Sequence, residues 1–154
     1  MAMMSRLSLR RFAVSGASMS PALPDGARFI GRLPRRAGSI RRGSIVAFPH
    51  PHRDGFWMVK RVVGMGGEMI NIEGGEVLID GNSGLDHWGI GFSTPDGRWA
   101  VPTGRVFVLS DQRPLTRDDS RTFGPVGTDC MYRMVLRYPR RSLPADPPSG
   151  DRPG

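Results

Sequence analysis

Short apolar runs alternate with glycine- and proline-containing turns along most of the chain, and this spacing excludes long helices. The sequence holds 21 Gly and 14 Pro, residues that interrupt helices and favour turns. No segment sustains the 3.6-residue period of an amphipathic helix. A two-residue loop, Gly74-Gly75, predicts a tight hairpin. The sequence therefore predicts a mainly β fold with few short helices and strands near residues 11–14, 27–33, 44–48, 56–63, 68–72, 76–80, 99–101, 106–109 and 131–138.

The chain is strongly basic, with a formal net charge of +8. Its cationic residues are dispersed, which is the ordinary pattern of a solvated surface, so we expect no nucleic-acid partner. The single cysteine, Cys130, excludes an internal disulfide. No apolar run reaches the ~18–20 residues that cross a bilayer. His50 and His52 lack the further ligands that a metal site needs, so no metal is expected.

Both ends of the chain are predicted to be flexible tails around one domain. Residues 140–154 are rich in Pro, Arg, Asp and Gly, a composition typical of solvated segments. In residues 1–11 arginines interrupt the apolar residues, which argues against a signal peptide. That segment is predicted to fray, or to lie on a membrane surface as a short basic segment. The folded domain is expected over residues 12–139.

A single lysine, Lys60, stands in the most apolar of the strand-like runs, whereas every other basic residue is arginine. Arginine stays charged in proteins, but burial lowers the pKa of a lysine and frees its amine to act as a base. In an extended strand Lys60 shares one face with Met58 and Val62, and Arg61 points to the other face. The alternative is a lysine retained by chance, with its ammonium group in water.

The small-residue bend at residues 15–20 offers three serines as nucleophiles for such a base. Small residues allow a peptide backbone to come close, and a bend exposes N–H groups that stabilise an oxyanion. By itself, a bend of this composition is usually only a turn. Paired with a neutral lysine, it indicates nucleophilic catalysis by a serine hydroxyl.

Four blocks of residues carry a more specific pattern, in this order: residues 16–23 (GASMSPAL), 42–48 (RGSIVAF), 60–67 (KRVVGMGG) and 119–124 (DSRTFG). The pattern resembles the bacterial type I signal peptidases. The resemblance implies antiparallel β-sheets of the type found in these enzymes and in SOS-repressor proteases, with residues 71–101 as a small variable insert. It also implies a serine endopeptidase with a Ser/Lys dyad that removes signal peptides, or similar leaders, from exported precursors.

The functional positions of that family fall on specific residues here. Ser18 matches the nucleophile and Lys60 the general base. Two structural ion pairs are matched by Arg61 with Asp111 and by Asp119 with Arg121. The walls of the family's substrate pocket are matched by six apolar residues, Phe12, Val14, Met19, Leu23, Met58 and Val59. A shallow apolar pocket accepts alanine and rejects larger side chains, so the substrate is expected to carry small residues before the cleaved bond.

The groups around the dyad match the family less closely. Gly16 stands where some members carry an oxyanion-binding hydroxyl, so Ser15 or a backbone N–H is expected to take that role. Thr116 is the candidate for the hydroxyl that orients the lysine. Asp118 competes with Asp119 for the second ion pair, because this stretch is one residue longer than in the family.

The resemblance also implies a cellular setting: protein substrates, no cofactor, and membrane association at the extracytoplasmic face. A short form of the family without an anchor segment is expected to reach the membrane by peripheral contact. Two other functions stay open. A cytoplasmic autoprotease of SOS-repressor type shares the dyad, but no DNA-binding helical domain is recognisable, and the blocks at Lys60 and Asp119 favour the signal peptidases. A catalytically inactive β domain that binds peptide or RNA is disfavoured by the intact pair of Ser18 and Lys60.

Overall fold

The structure is a computed structural model, and it describes residues 8–36 and 38–139. These residues form ten strands and one short helix. The elements are β1 (Leu9–Ala13), β2 (Arg28–Arg32), β3 (Ile45–Pro49), β4 (Trp57–Gly64), β5 (Met69–Glu73), β6 (Glu76–Ile79), β7 (Gly97–Ala100), β8 (Arg105–Leu109), α1 (Ser120–Phe123), β9 (Val126–Gly127) and β10 (Tyr132–Tyr138). The predicted mainly β fold with few short helices is confirmed.

Two antiparallel sheets make up the fold. The larger sheet has the strand order β1-β2-β10-β3-β4-β8-β9, and the smaller sheet has the order β6-β5-β7. The hairpin between β5 and β6 turns at Gly74 and Gly75, where the sequence predicted it. Both glycines have positive φ. The predicted insert, residues 71–101, covers most of the smaller sheet but misses its start, because β5 begins at Met69.

Strand β4 lies in the interior of the larger sheet, between β3 and β8. From Lys60 to the end of the strand every residue is buried. Met58 and Val62 pack into one apolar cluster, whereas Val63 belongs to another. Since side chains alternate along a strand, Lys60 lies on the same face as Met58 and Val62. The strand therefore fixes the amine within the protein, with Arg61 directed to the opposite face.

Close packing at Gly31 of β2 positions one wall of the site. A Cβ atom at this position would lie 2.8 Å from the Phe12 ring and 2.9 Å from Cβ of Tyr132. Both distances are shorter than real Cβ contacts, so the absent side chain is what lets the ring lie across the strand. The Phe12 ring also stacks on Phe29, with their centroids 5.2 Å apart. Phe12 is thereby held at the end of β1 that leads into the serine bend.

The first strand corrects a predicted boundary. The sequence assigned residues 1–11 to a tail, but β1 begins at Leu9 and pairs with β2, where Leu9 lies opposite Arg32. The side chains from Leu9 to Arg11 are exposed, so backbone pairing rather than apolar burial places them, and no alternating pattern reveals it. Residues 1–7 and 140–154, also predicted as tails, lie outside the described residues. Helix α1 and strand β9 were not predicted.

Candidate active site

The hydroxyl of Ser18 and the amine of Lys60 lie together at the end of the serine bend. Lys60 Nζ is 3.5 Å from Ser18 Oγ, although the two residues are 42 positions apart in the chain. Catalytic contacts in unliganded enzymes are often this long and shorten when substrate binds. Lys60 is only 3% exposed, whereas Ser18 is partly exposed. The amine is thus shielded from water while the hydroxyl remains reachable.

Burial sets the ionisation of the amine. Desolvation lowers the pKa of Lys60, because the charged ammonium form loses hydration inside the protein. The Asp119 and Asp118 carboxylates act in the opposite direction on this pKa, and the Arg121 guanidinium adds to the lowering. Desolvation is the largest of these influences. A larger fraction of neutral amine is therefore present at a given pH than for a lysine in water.

A buried hydroxyl orients the amine, and it belongs to Ser110. Lys60 Nζ lies 2.9 Å from Ser110 Oγ, and Ser110 is fully buried. The sequence had proposed Thr116 for this role. In the structure Thr116 Oγ1 instead accepts a hydrogen bond from the N–H of Asp118. Ser110 follows β8, the strand paired with β4, and this pairing brings Ser110 directly beside Lys60.

The backbone around Ser110 is held by two buried charged groups. Its N–H donates to Asp119 Oδ2 at 3.1 Å, and its carbonyl oxygen accepts from Arg113 Nε at 2.7 Å. Asp119 is also the N-cap of α1, where its side chain accepts from the N–H of Arg121. Fixed on both sides, Ser110 has little freedom to move away from the amine.

Both predicted ion pairs are present in the structure. Arg61 donates to both carboxylate oxygens of Asp111, at 3.1 and 2.6 Å. Arg121 donates to both oxygens of Asp119, at 2.9 and 2.7 Å, and both side chains are completely buried. The alternative partner, Asp118, instead contacts His50 and Arg53. Bidentate pairs of this kind fix orientation as well as charge.

Hydrogen bonds to Gln112 and Asp25 hold the serine bend in place. The carbonyl oxygens of Ser18 and Ser20 accept hydrogen bonds from the backbone and the side chain of Gln112, respectively. Gly16 has φ +94°, a conformation that side chains other than glycine rarely adopt, and its N–H donates to Asp25 Oδ1 at 2.8 Å. Because that N–H is occupied, Gly16 is a poor oxyanion donor. Within the described residues the N–H of Ser18 has no such acceptor.

A cavity of about 440 Å³ opens beside the dyad. Four of the six predicted pocket residues line it, namely Phe12, Val14, Met58 and Val59, together with the candidate oxyanion residues Ser15 and Gly16. Met19 and Leu23, also predicted as walls, do not line it. Both are completely buried in the apolar cluster beneath the bend, because the N–H of Leu23 bonds back to the carbonyl of Met19 and turns this segment inward.

Two buried groups near the site were not found from the sequence. Arg113 is 1% exposed and pairs with Asp86 at 2.7 Å, linking the loop after β8 to the segment before β7. His50 has both ring nitrogens engaged: Nδ1 accepts from the N–H of His52, and Nε2 lies 3.0 Å from Asp118. The partners of Arg113 and His50 are 27 and 68 residues away, so no local pattern marks either pair.

A buried amine beside an accessible serine hydroxyl is the arrangement of a serine hydrolase with a lysine base. The family model for signal peptidase, peptidase S26, matches residues 1–132 of the sequence. The chain therefore belongs to the peptidase S26 family and is a serine endopeptidase. The resemblance drawn from the four sequence blocks is confirmed.

Individual relatives agree with this family. The chain is 31% identical over 131 residues to signal peptidase I V of Bacillus subtilis, covering 75% of this chain and 76% of that protein. It is 27% identical over 145 residues to signal peptidase IB of Staphylococcus aureus, covering 80% and 74%. A crystal structure of a signal peptidase I from Enterococcus faecalis superposes with a TM-score of 0.54 at 30% identity, covering 63% of this chain and 97% of that one.

The family sets the general partner and location. Its members act on proteins and are generally associated with membranes. Among residues 8–36 and 38–139, no helix is both long enough and apolar enough to cross a bilayer.

Proposed function

We propose that this protein removes signal peptides, or similar leaders, from exported precursors, with Ser18 as nucleophile and Lys60 as general base. The observation that carries the proposal is the position of a lysine amine, 3% exposed, 3.5 Å from a partly exposed serine hydroxyl. Membership of the signal peptidase family supports the choice of substrate.

The geometry supports a two-step reaction. Neutral Lys60 takes the hydroxyl proton as Ser18 Oγ bonds to the scissile carbonyl carbon, and the oxyanion that forms accepts from the N–H of Ser18. The ammonium group then gives the proton to the leaving amine as the C–N bond breaks, which leaves an acyl-enzyme ester. In the second step Lys60 takes a proton from water, the resulting hydroxide attacks the ester, and the proton returns to Ser18 as the acid product leaves.

The shape of the cavity supports small residues before the cleaved bond. Phe12, Val14 and Met58 supply apolar walls at the side of Ser18. Phe12 is packed against Phe29 and Trp57, so its ring cannot move aside easily to admit a larger substrate side chain. Close-packed walls of this kind exclude larger groups by overlap. A precursor with alanine before the scissile bond is therefore the expected substrate.

Exposed apolar side chains at the rim support peripheral membrane contact. Phe56 and Leu115 both line the cavity, yet they are 47% and 60% exposed. Insertion of these side chains at a bilayer surface would bury apolar area and bring Ser18 near the exit point of a translocated precursor. In this proposal the cavity faces the extracytoplasmic side of the membrane.

The decisive experiment measures cleavage of a synthetic precursor with an Ala-X-Ala site in detergent. Ser18→Ala should abolish cleavage because the nucleophile is lost. Lys60→Arg should lower kcat/KM by at least about 10²–10⁴-fold, the usual contribution of a general base. The circular dichroism spectrum of both variants should be unchanged. Ser20→Ala is the matched control from the same bend and should keep full activity. Near-normal turnover by Lys60→Arg would exclude the lysine base, since arginine does not deprotonate.

Two outcomes would favour the competing functions. Self-cleavage near the N-terminus, seen by mass spectrometry and prevented by Ser18→Ala, with no cleavage of precursors, would indicate an autoprotease. Absence of any cleavage by the unaltered protein would indicate a binding domain.

A further inference from the structure

A second cavity, separate from the one beside the dyad, is lined by four arginines. It has a volume of about 450 Å³ and lies at the Leu9 end of β1, whereas the cavity beside Ser18 lies at the Phe12 end of that strand. The arginines are Arg32, Arg35, Arg36 and Arg133. Among the described residues that line this cavity, none is acidic. It is therefore a concave site of one sign of charge.

Two arginines of this cavity, Arg32 and Arg133, lie directly opposite each other on neighbouring strands. Arg32 of β2 and Arg133 of β10 are partners in the antiparallel ladder, so their side chains leave the same face of the sheet. Like charges directly opposite each other destabilise a sheet. Neither side chain forms a hydrogen bond or an ion pair with another described residue. The sheet therefore has a repulsion that a bound anion would relieve.

The arginines of this cavity differ from the less exposed arginines of the described chain. Four other arginines with limited exposure each pair with a carboxylate of the described chain, namely Arg42, Arg61, Arg113 and Arg121. Arg35 and Arg36 follow β2 and also line a neighbouring cavity that includes Asp129, but within the described residues neither side chain forms a hydrogen bond or an ion pair. Carboxylates thus neutralise the less exposed guanidinium groups, whereas Arg32, Arg35 and Arg36 are exposed, Arg133 is half-buried, and all four remain available to an anion.

We propose that this cavity binds the phosphate group of a phosphate ester. Guanidinium groups match phosphate oxygens in bidentate geometry, and opposed arginines bind one phosphate from two sides. The cavity is larger than the ion alone needs and falls in the size range of small-molecule sites. Leu9, Leu33 and Pro34 give it an apolar wall, which suits the organic part of an ester. A soluble ester and a phospholipid headgroup share this chemistry.

The test titrates the full chain with glycerol 3-phosphate at constant ionic strength and follows backbone amide NMR shifts. Saturable shifts are expected at residues 8–9, 32–36 and 133. The double variant Arg32→Gln/Arg133→Gln should weaken this binding at least about tenfold, because two charge-assisted contacts are lost. Arg41→Gln/Arg98→Gln removes the same charge from two exposed arginines elsewhere and should leave the affinity unchanged. Both variants should stay folded, since neither removes an ion pair.

Vesicles distinguish the two sources of the phosphate group. Binding to phosphatidylglycerol vesicles, with phosphatidylcholine vesicles as the reference, should fall at least about tenfold in the Arg32/Arg133 variant if the source is a lipid headgroup. Saturable binding of glycerol 3-phosphate with unchanged vesicle binding identifies a soluble ester. If both variants lower binding equally, or if chloride produces the same shifts, the site is only diffuse positive charge and the proposal is wrong. Peptidase activity on a soluble peptide is independent of either result.

Discussion

Removal of the Asp119 carboxylate tests whether buried charge holds the active site together. This carboxylate accepts from the N–H of Ser110, from the N–H of Arg121 and from two nitrogens of the Arg121 guanidinium. In Asp119→Ala a fully buried guanidinium would keep only neutral carbonyl acceptors, such as those of Arg113 and Thr116. Breaking a buried pair by removing one partner costs about 3–5 kcal/mol. Since a domain is stable by only about 5–15 kcal/mol, the variant should lose a large fraction of its stability.

Urea denaturation followed by circular dichroism measures this loss. Asp54→Ala removes an exposed aspartate and should change the free energy of unfolding by less than about 0.5 kcal/mol. The double variant Asp119→Ala/Arg121→Met should recover much of the loss, because it leaves no unpaired charge in the interior. If Asp119→Ala lowered the free energy of unfolding by less than about 1 kcal/mol, the range of an exposed ion pair, the buried pair would not be what holds the site together.

Three further predictions concern the dyad and its surroundings. Ser110→Ala should lower kcat by about 10²-fold with KM little changed, because the amine loses its orienting contact. Thr116→Ala should lower kcat less. A larger loss in Thr116→Ala would show that Thr116, and not Ser110, orients the amine. Leu23→Ala should lower the free energy of unfolding by about 2–5 kcal/mol, measured by urea denaturation, without altering the preference for small residues. The rising limb of kcat/KM against pH should lie below 10.5, the ordinary pKa of lysine, because neutral Lys60 forms as pH rises; a pH-independent rate would contradict a lysine base.

The strands could be predicted because their apolar residues and turns are local in the sequence. Helix α1 could not be predicted, since it has only four residues and its start depends on capping by the Asp119 side chain. The two residues of β9 pair with β8 over too short a length to leave an alternating pattern. Strand β1 was recognised only at its end, because its first residues are exposed. Elements held by pairing or capping rather than by apolar burial are thus the ones that sequence patterns miss.

At the candidate site, too, local motifs could be predicted from the sequence, whereas contacts made through strand pairing could not. Ser18 and Lys60 were proposed from residue chemistry and from motifs, and the structure brings their side chains together. The lysine-orienting hydroxyl was assigned to Thr116, but the contact is made by Ser110, because strand pairing rather than spacing along the chain selects the neighbour. The family resemblance placed Leu23 in the wall of the substrate pocket. Only the path of the backbone shows that it points into the core.

The pKa of Lys60 also depends on its acidic neighbours and on their ion-pair partners. Asp119 and Asp118 both favour the ammonium form, which a base cannot use. Asp119 is bound bidentately by Arg121, and Asp118 is bound by Arg53 and His50. The Arg121 guanidinium opposes these carboxylates at the amine, and desolvation remains the largest influence on the lysine pKa. The pair of Asp119 and Arg121 therefore braces the loop and also limits the net negative charge near the Lys60 amine.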